Sequence, residues 1–291
     1  MTREPERVIL APAERRDAVL HVIRSARERL ILSLFRCYNK AILDALAEAV
    51  RRRVVVRVLL TGRAKGSKKH LKWLHAFVQD LGAEVHRYAD PVVKYHAKYI
   101  VADNGPALVA SLNFTRKCFQ TTCDFMLVTH APELVTGLTR LFDADWTAPP
   151  TGLPDIPGDR LIVGPERARR RFAELLQQAR SSIRLIDSKL SDAAMVALLK
   201  TKAAAGVVVE VRGPDGLGTL VPHGKLLIVD ASTAVIGSIS LATLALEFRR
   251  ELAVVVRDRH AVQQLNEFWN SLPPLPAGSR ASHASPKVPR P

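Results

Sequence analysis

The feature that most limits what this chain can fold into is that it is written twice. His96, Lys98, Asp103, Ser111, Asn113 and Asp124 lie in the first half, and adding 127 to each number gives His223, Lys225, Asp230, Ser238, Ser240 and Glu251. Four of these six pairs are identical, Asp124/Glu251 keeps a carboxylate and Asn113/Ser240 stays polar. Upstream the offset becomes 153, linking Ile9 with Ile162, Pro12 with Pro165, Ala26 with Ala179 and Val54 with Val207. The difference of 26 residues predicts one helix and its connections, around His70 to Gly82, present in the first half and missing from the second. Repetition on this scale means two copies of one supersecondary unit, the second trimmed.

Each copy alternates short apolar runs with amphipathic stretches. Arg29 to Leu34, Val54 to Leu60, Tyr99 to Ala102 and Phe125 to Thr129 have strand length and composition. Asp17 to Arg27 and Ala41 to Arg52 have helical spacing, with Ala41, Ile42, Leu46 and Val50 down one side. Alternation of this kind indicates an α/β layer architecture. The expected organisation is a first lobe at 1–148, a Pro-rich linker at 149–159, a second lobe at 160–271 and a disordered basic tail at 272–291. Pro149, Pro150, Pro154 and Pro157 crowd the linker, where each removes an amide donor.

Forty-three Lys and Arg against 28 Asp and Glu leave a net charge of +15. Such an excess favours an anionic partner: nucleic acid, anionic lipid or another phosphate ester. Cys37, Cys118 and Cys123 are too few and too irregular for a disulfide framework or a structural zinc site, which makes a reducing cytoplasm the expected compartment. No apolar run approaches 18 residues, so a transmembrane helix is not expected, and the mixed charge of Met1 to Leu10 argues against a signal peptide.

Each copy reads H-x-K-x4-D, then a turn of small residues, then Ser 15 positions after the His. Two positions apart in extended chain, His96 and Lys98 share a face, as do His223 and Lys225. An ammonium beside an imidazole repels a metal cation but suits a phosphate, whose oxygens it neutralises while the imidazole attacks or protonates. Asp103 and Asp230 have odd spacing from their histidines, which turns them away from such a centre and suggests a structural role. Displacement at a phosphodiester needs a nucleophile on one side and an acid at the leaving oxygen, and two lobes closing face to face supply both imidazoles. Asp124 and Glu251 are placed to accept the other ring N–H of a histidine and fix its tautomer.

The segments HAKYIVADNGPALVASLNFT and HGKLLIVDASTAVIGSISL resemble the paired signature of the phospholipase D superfamily, and the resemblance runs from about Ile9 to Asp258. It implies two duplicated α/β lobes, each a mixed sheet flanked by helices, related by a pseudo-two-fold axis with the active site at their interface. It implies that one of His96 and His223 forms a phosphohistidine while the other protonates the leaving group and then activates water or an alcohol. Lys98, Lys225 and Asn113, with Ser240 in the matching place, would hold phosphoryl oxygens. Asp124 and Glu251 would orient the imidazoles, and Asp103, Asp230, Ser111 and Ser238 would be structural members of the motif. No metal and no cofactor are implied. The second copy departs from the pattern in having Ser240 where the superfamily usually has Asn, which predicts a weaker phosphate grip in that half.

The expected activity is hydrolysis or transfer of phospholipid headgroups by a monomer whose lobes pair within one chain, with no transmembrane segment and a peripheral position at the inner membrane surface. The alternatives are a metal-independent nuclease, which +15 suits, and a non-catalytic phosphate-binding module. Aromatic residues are only 5% of the chain, leaving little for stacking platforms on single strands. A basic stretch from Arg63 to Lys72 is a candidate lip for anionic substrate, and the aromatic stripe of the following helix, Trp73 included, reads as core. Arg167, Arg169, Arg170 and Arg171 at a helix start are a solvated face or an anion site.

Overall fold

The computed structural model describes residues 6–63, 68–147 and 150–275. The first half runs β1 (Arg7–Ile9), α1 (Pro12–Ser25), β2 (Arg29–Leu34), α2 (Lys40–Arg51), β3 (Val55–Thr61), α3 (Lys68–Asp80), β4 (Glu84–Tyr88), β5 (Lys94–Tyr95), β6 (Tyr99–Ala102), β7 (Ala107–Ala110), α4 (Arg116–Gln120), β8 (Thr122–Cys123), β9 (Met126–Thr129) and α5 (Pro132–Trp146). The second runs β10 (Leu161–Val163), α6 (Ala168–Gln178), β11 (Ser182–Ile186), α7 (Ala193–Ala204), β12 (Val208–Arg212), β13 (Val221–Pro222), β14 (Lys225–Val229), β15 (Thr233–Gly237), α8 (Thr243–Phe248), β16 (Arg249–Arg250), β17 (Leu252–Val256) and α9 (Arg259–Ser271). The strands lie where the apolar runs predict them, within a residue at each end. Helix α1 starts five residues earlier than its periodicity suggests, because Pro12 at its first turn has no amide to leave unpaired.

Seven strands form one sheet, β1-β9-β7-β6-β2-β3-β4, and six form the other, β10-β17-β15-β14-β11-β12. Laid against each other the orders match strand for strand except for β4. The 26-residue excess of the first half is therefore a helix and a seventh strand, α3 and β4, rather than the helix alone. In both sheets the central pairs are antiparallel, and parallel pairing is confined to one end, β2-β3-β4 and β11-β12. These strands are apolar almost throughout because both faces are covered.

Helices α1 and α2 cover the outer face of the first sheet, as α6 and α7 cover that of the second. The inner faces share one apolar cluster, in which Ile31, Val109, Leu138 and Phe142 of the first half join Ile228, Ile236, Leu265 and Trp269 of the second. The proline-rich stretch is part of this packing, with Ile156 buried in the shared cluster. Residues 276–291 of the expected tail and Lys65 of the basic stretch lie outside the described residues.

The motif aspartates tie the strands of each sheet together. Asp103 follows β6 in the left-handed backbone region, at φ 49°, and accepts the amides of Arg27, Glu28 and Arg29. Asp230 follows β14 at φ 50° and accepts those of Arg180, Ser181 and Ser182. Asp tolerates this conformation better than most side chains, and its carboxylate can collect several amides at once.

Candidate active site

Two short parallel pairings cross from one half to the other. In one, Lys94 and Tyr95 of β5 lie opposite Arg249 and Arg250 of β16; in the other, Thr122 and Cys123 of β8 lie opposite Val221 and Pro222 of β13. The next residues along these strands are His96 and Glu251 on one side, Asp124 and His223 on the other. Each imidazole is thereby handed to the carboxylate of the opposite lobe. His96 Nδ1 is 2.6 Å from Glu251 Oε1, and His223 Nδ1 is 2.8 Å from Asp124 Oδ1. Both carboxylates are fully buried, and each engages its imidazole through Nδ1.

Close backbone approach sets these positions. The His96 amide donates to Arg250 O at 2.9 Å, and the Gly224 amide to Cys123 O at 2.6 Å. A Cβ on Gly224 would stand 2.7 Å from Cys123 O and 2.8 Å from Asp124 Cα, so glycine is required between His223 and Lys225. The first copy has Ala97 at that place, fully buried.

The chain between His and Lys curls rather than continuing as strand, but the two side chains still meet. Lys98 Nζ donates to His96 O at 2.6 Å and lies 3.1 Å from His96 Nδ1, while Lys225 folds back on His223 O in the same way. His96 Nδ1 cannot serve both neighbours. The shorter contact is to Glu251, which takes the N–H and leaves Lys98 acting by its charge. Burial and the Lys98 ammonium hold His96 well below the ordinary imidazole range, against the pull of Glu251. Burial opposes ionisation of Glu251, yet His96, Lys98 and Arg249 outweigh it and keep this carboxyl low. A neutral imidazole thus faces an ionised carboxylate. Lys98 is brought down to about 7 by burial and by Lys225, with Glu251 and Asp124 working the other way.

The remaining motif residues divide. Ser111 donates to Asp124 Oδ1 at 2.6 Å and Thr122 to Asp124 Oδ2, so this carboxylate is held on every side. The Ser238 hydroxyl makes only long contacts, 3.4 Å, with the Leu252 backbone, and Glu251 Oε2 has no hydrogen-bond partner among the described residues. Asn113 Oδ1 is likewise buried and without a partner among the described residues. Ser240 does not reach the imidazoles; its hydroxyl donates to buried Asp187 at 2.8 Å, committing its proton. Asp103 and Asp230 stand apart from the centre.

Several residues near the centre escaped the sequence reading. Arg15 of α1 is fully buried and donates to the carbonyls of Leu10, Cys118, Thr122 and Asp124, bracing the loop that presents Asp124. Lys94 and Arg249 flank the His96–Glu251 pair, with Arg249 Nη1 3.5 Å from Glu251 Oε1. Comparison of the two copies passes over them because their counterparts are Val221 and Thr122. Other expectations are corrected. Trp73 is 48% exposed rather than core, stacking on Phe77 at 5.2 Å while Leu71, Leu74 and Val78 bury. Arg169 is engaged by Asp192 and Glu247, and Arg171 by Asp159 and Glu174, which removes them as an anion site.

Among the described residues, Cys118, Asp124 and His223 bring three potential metal-binding atoms within 4.8 Å of one another. They suit a resident cation poorly. Asp124 already accepts from Ser111, Thr122 and His223, and Arg15, Lys98 and Lys225 make the surroundings positive. The same charges suit an anion.

Residues 19–146 match the family model described as cardiolipin synthase, PLD-like domain. Comparison with curated proteins gives no match. Among solved structures, a phosphatidylserine synthase from Haemophilus influenzae superposes with a TM-score of 0.74 at 12% identity, over 92% of this chain and 86% of that one. A polyphosphate kinase from Porphyromonas gingivalis superposes with a TM-score of 0.76 at 19% identity, over 91% of this chain, which spans 46% of the kinase. At these identities the likeness is one of fold. Residues 19–146 thus resemble a phospholipase D-like domain, and the two-lobed chain built around them shares the fold of that phosphatidylserine synthase.

Proposed function

We propose that this chain hydrolyses or transfers phospholipid headgroups through a covalent phosphohistidine, without a metal. The observation that carries the reading is the pair of imidazoles, each oriented by a buried carboxylate of the opposite lobe, with two lysines beside them. Nε2 of one histidine attacks phosphorus while its Nδ1–H stays on the ring and donates to the partner carboxylate, whose negative charge offsets that of the phosphoimidazolium. The P–O bond to the leaving group breaks, and that oxygen takes a proton from Nε2 of the other histidine. Water or an alcohol then gives its proton to the second imidazole and displaces the phosphoryl group from the first. Lys98 and Lys225 neutralise the phosphoryl oxygens, and Asn113 contributes a side-chain amide donor.

A second reading, cleavage of nucleic acid by the same chemistry, is favoured by the net charge of +15. One experiment in EDTA-containing buffer separates the two: mixed phospholipid vesicles and labelled single- and double-stranded DNA are offered together. Headgroup release that His96→Asn or His223→Asn lowers by ~10²–10⁴-fold is the expected result. Cleaved DNA with intact lipid would select the second reading, and activity abolished by EDTA would reject the metal-free scheme.

A further inference from the structure

An open cleft lies beside the His96–Glu251 pair, lined by Arg63, Val92 and Lys94 from the first half and Leu244, Phe248 and Arg249 from the second. Its floor is the β5–β16 pairing, in which Lys94 lies opposite Arg249, two residues before His96 on one strand and before Glu251 on the other. Its walls carry three large apolar side chains that are exposed: Val92 at 64%, Leu244 at 62% and Phe248 at 46%.

Both walls are held rigidly. Arg63 donates to the carbonyls of Asp90, Pro91 and Val93, and the Asp90 carboxylate accepts the amides of Val92 and Val93. On the other side Thr243 donates to Asp192, which with Glu247 engages Arg169 and so pins α8 at both ends. Val92, Leu244 and Phe248 are therefore fixed in water by their backbones. The cations between them crowd one another: burial and then Arg249, Arg36, Arg63 and Lys189 all depress the charge on Lys94. This crowding is relieved by an anion.

We infer that this cleft docks the active site onto an anionic bilayer, with Val92, Leu244 and Phe248 entering the acyl boundary and Arg63, Lys94 and Arg249 meeting lipid phosphates. The inference rests on the phospholipid reading and adds where, and by which residues, the membrane is met. Val92 and Leu244 gain by leaving water for hydrocarbon and offer no flat face on which a base could stack, which leaves Phe248 as the single ring in the lining and favours lipid over nucleic acid here. Cations at an anionic leaflet strengthen binding about fivefold each. The matching β8–β13 pairing beside His223 lacks these cations, since Val221 and Thr122 stand where Lys94 and Arg249 do. Docking would thus be one-sided, bringing the bilayer to the His96 end of the site.

The test is flotation with phosphatidylcholine vesicles with and without 30% phosphatidylglycerol, for the full chain, the double variant Leu244→Asp/Phe248→Asp, and Val208→Asp. Val208 is 52% exposed and lies on β12, outside the cleft, so it controls for any added charge. The expected result is binding to the anionic vesicles that falls at least tenfold in the double variant and stays within twofold in Val208→Asp. No binding by the full chain, equal binding by the double variant, or a double variant that loses DNA binding but keeps vesicles would overturn the inference. Val92→Cys labelled with an environment-sensitive dye gives a reading that needs no destabilising substitution, because Cys37, Cys118 and Cys123 are all buried. Its emission should shift to the blue on anionic vesicles, and an unchanged spectrum counts against docking. Turnover of bis(p-nitrophenyl) phosphate by the full chain reads the phosphodiesterase proposal separately.

Discussion

A lysine at 1% exposure, next to an imidazole and near a second lysine, is held where its charge is least favoured. Lys98 is expected to titrate near 7 in the free protein, and inorganic vanadate in the site should move its midpoint back toward that of an ordinary lysine. NMR of the chain labelled at lysine Cε would follow this, and a midpoint near 10.5 would refute it. The linked effect on stability has a definite sign. The folded chain binds this proton less tightly than the unfolded one, so the cost is fully present below pH 7 and is relieved as pH rises from there toward 10.5. Lys98→Met should therefore raise the denaturation midpoint at pH 6 while abolishing turnover. At this scale the sequence showed which residue types meet, because the repeat displayed His, Lys and carboxylate in register. It left open which carboxylate meets which imidazole, since spacing along one lobe carries no information about what the other lobe brings. Arg15 left no trace either, as a single buried arginine on a helix matches no periodic signal.

At the level of elements, the motif aspartates explain why each copy keeps a carboxylate seven positions after its His. Asp230→Ala removes the acceptor of three amides and places Ala at φ 50°, and should cost about 2–4 kcal/mol in urea denaturation at pH 7. Burial raises the Asp230 carboxyl but the amides of Ser182, Ser181 and Arg180 lower it more, to about 2. Its contribution is accordingly present above the unfolded value near 4 and lost as pH falls through about 2, where variant and parent should converge. Gly224→Ala tests the lobe contact itself. A methyl group 2.7 Å from Cys123 O must push His223 away from Asp124, and turnover should drop at least tenfold. Ala97→Gly, at the matching place, should cost stability rather than catalysis. Strands and helices were legible because apolar runs and helical spacing report burial directly. The seventh strand was missed because Glu84–Tyr88, half polar at the sheet edge, carries no such run.

Across the whole molecule the halves are joined by charge as well as by their shared core. Arg250, 2% exposed, bridges the fully buried Asp145 of α5 at 3.0 Å and Glu166 at 2.7 Å, and Arg160 bridges Glu6 and Glu133. Arg250→Met leaves Asp145 buried and unpaired, which should cost about 3–5 kcal/mol, and adding Asp145→Leu should recover much of it. Chemical denaturation of the single and double variants measures both, and additive losses would contradict the coupling. Because Arg250 O also receives the His96 amide, this bridge underlies the placement of the candidate site.

The exchange of carboxylates between lobes also bears on how a duplicated gene can change. Ordinarily one copy is free to drift while the other keeps the original task. Here a substitution at Asp124 would detune the histidine of the other copy, and one at Glu251 would do the same in return, so each copy depends on the other. Divergence is channelled to places that do not face the partner lobe, such as the segment carrying α3 and β4. It is also open to the flanks of the centre, where Lys94 and Arg249 have parted from Val221 and Thr122.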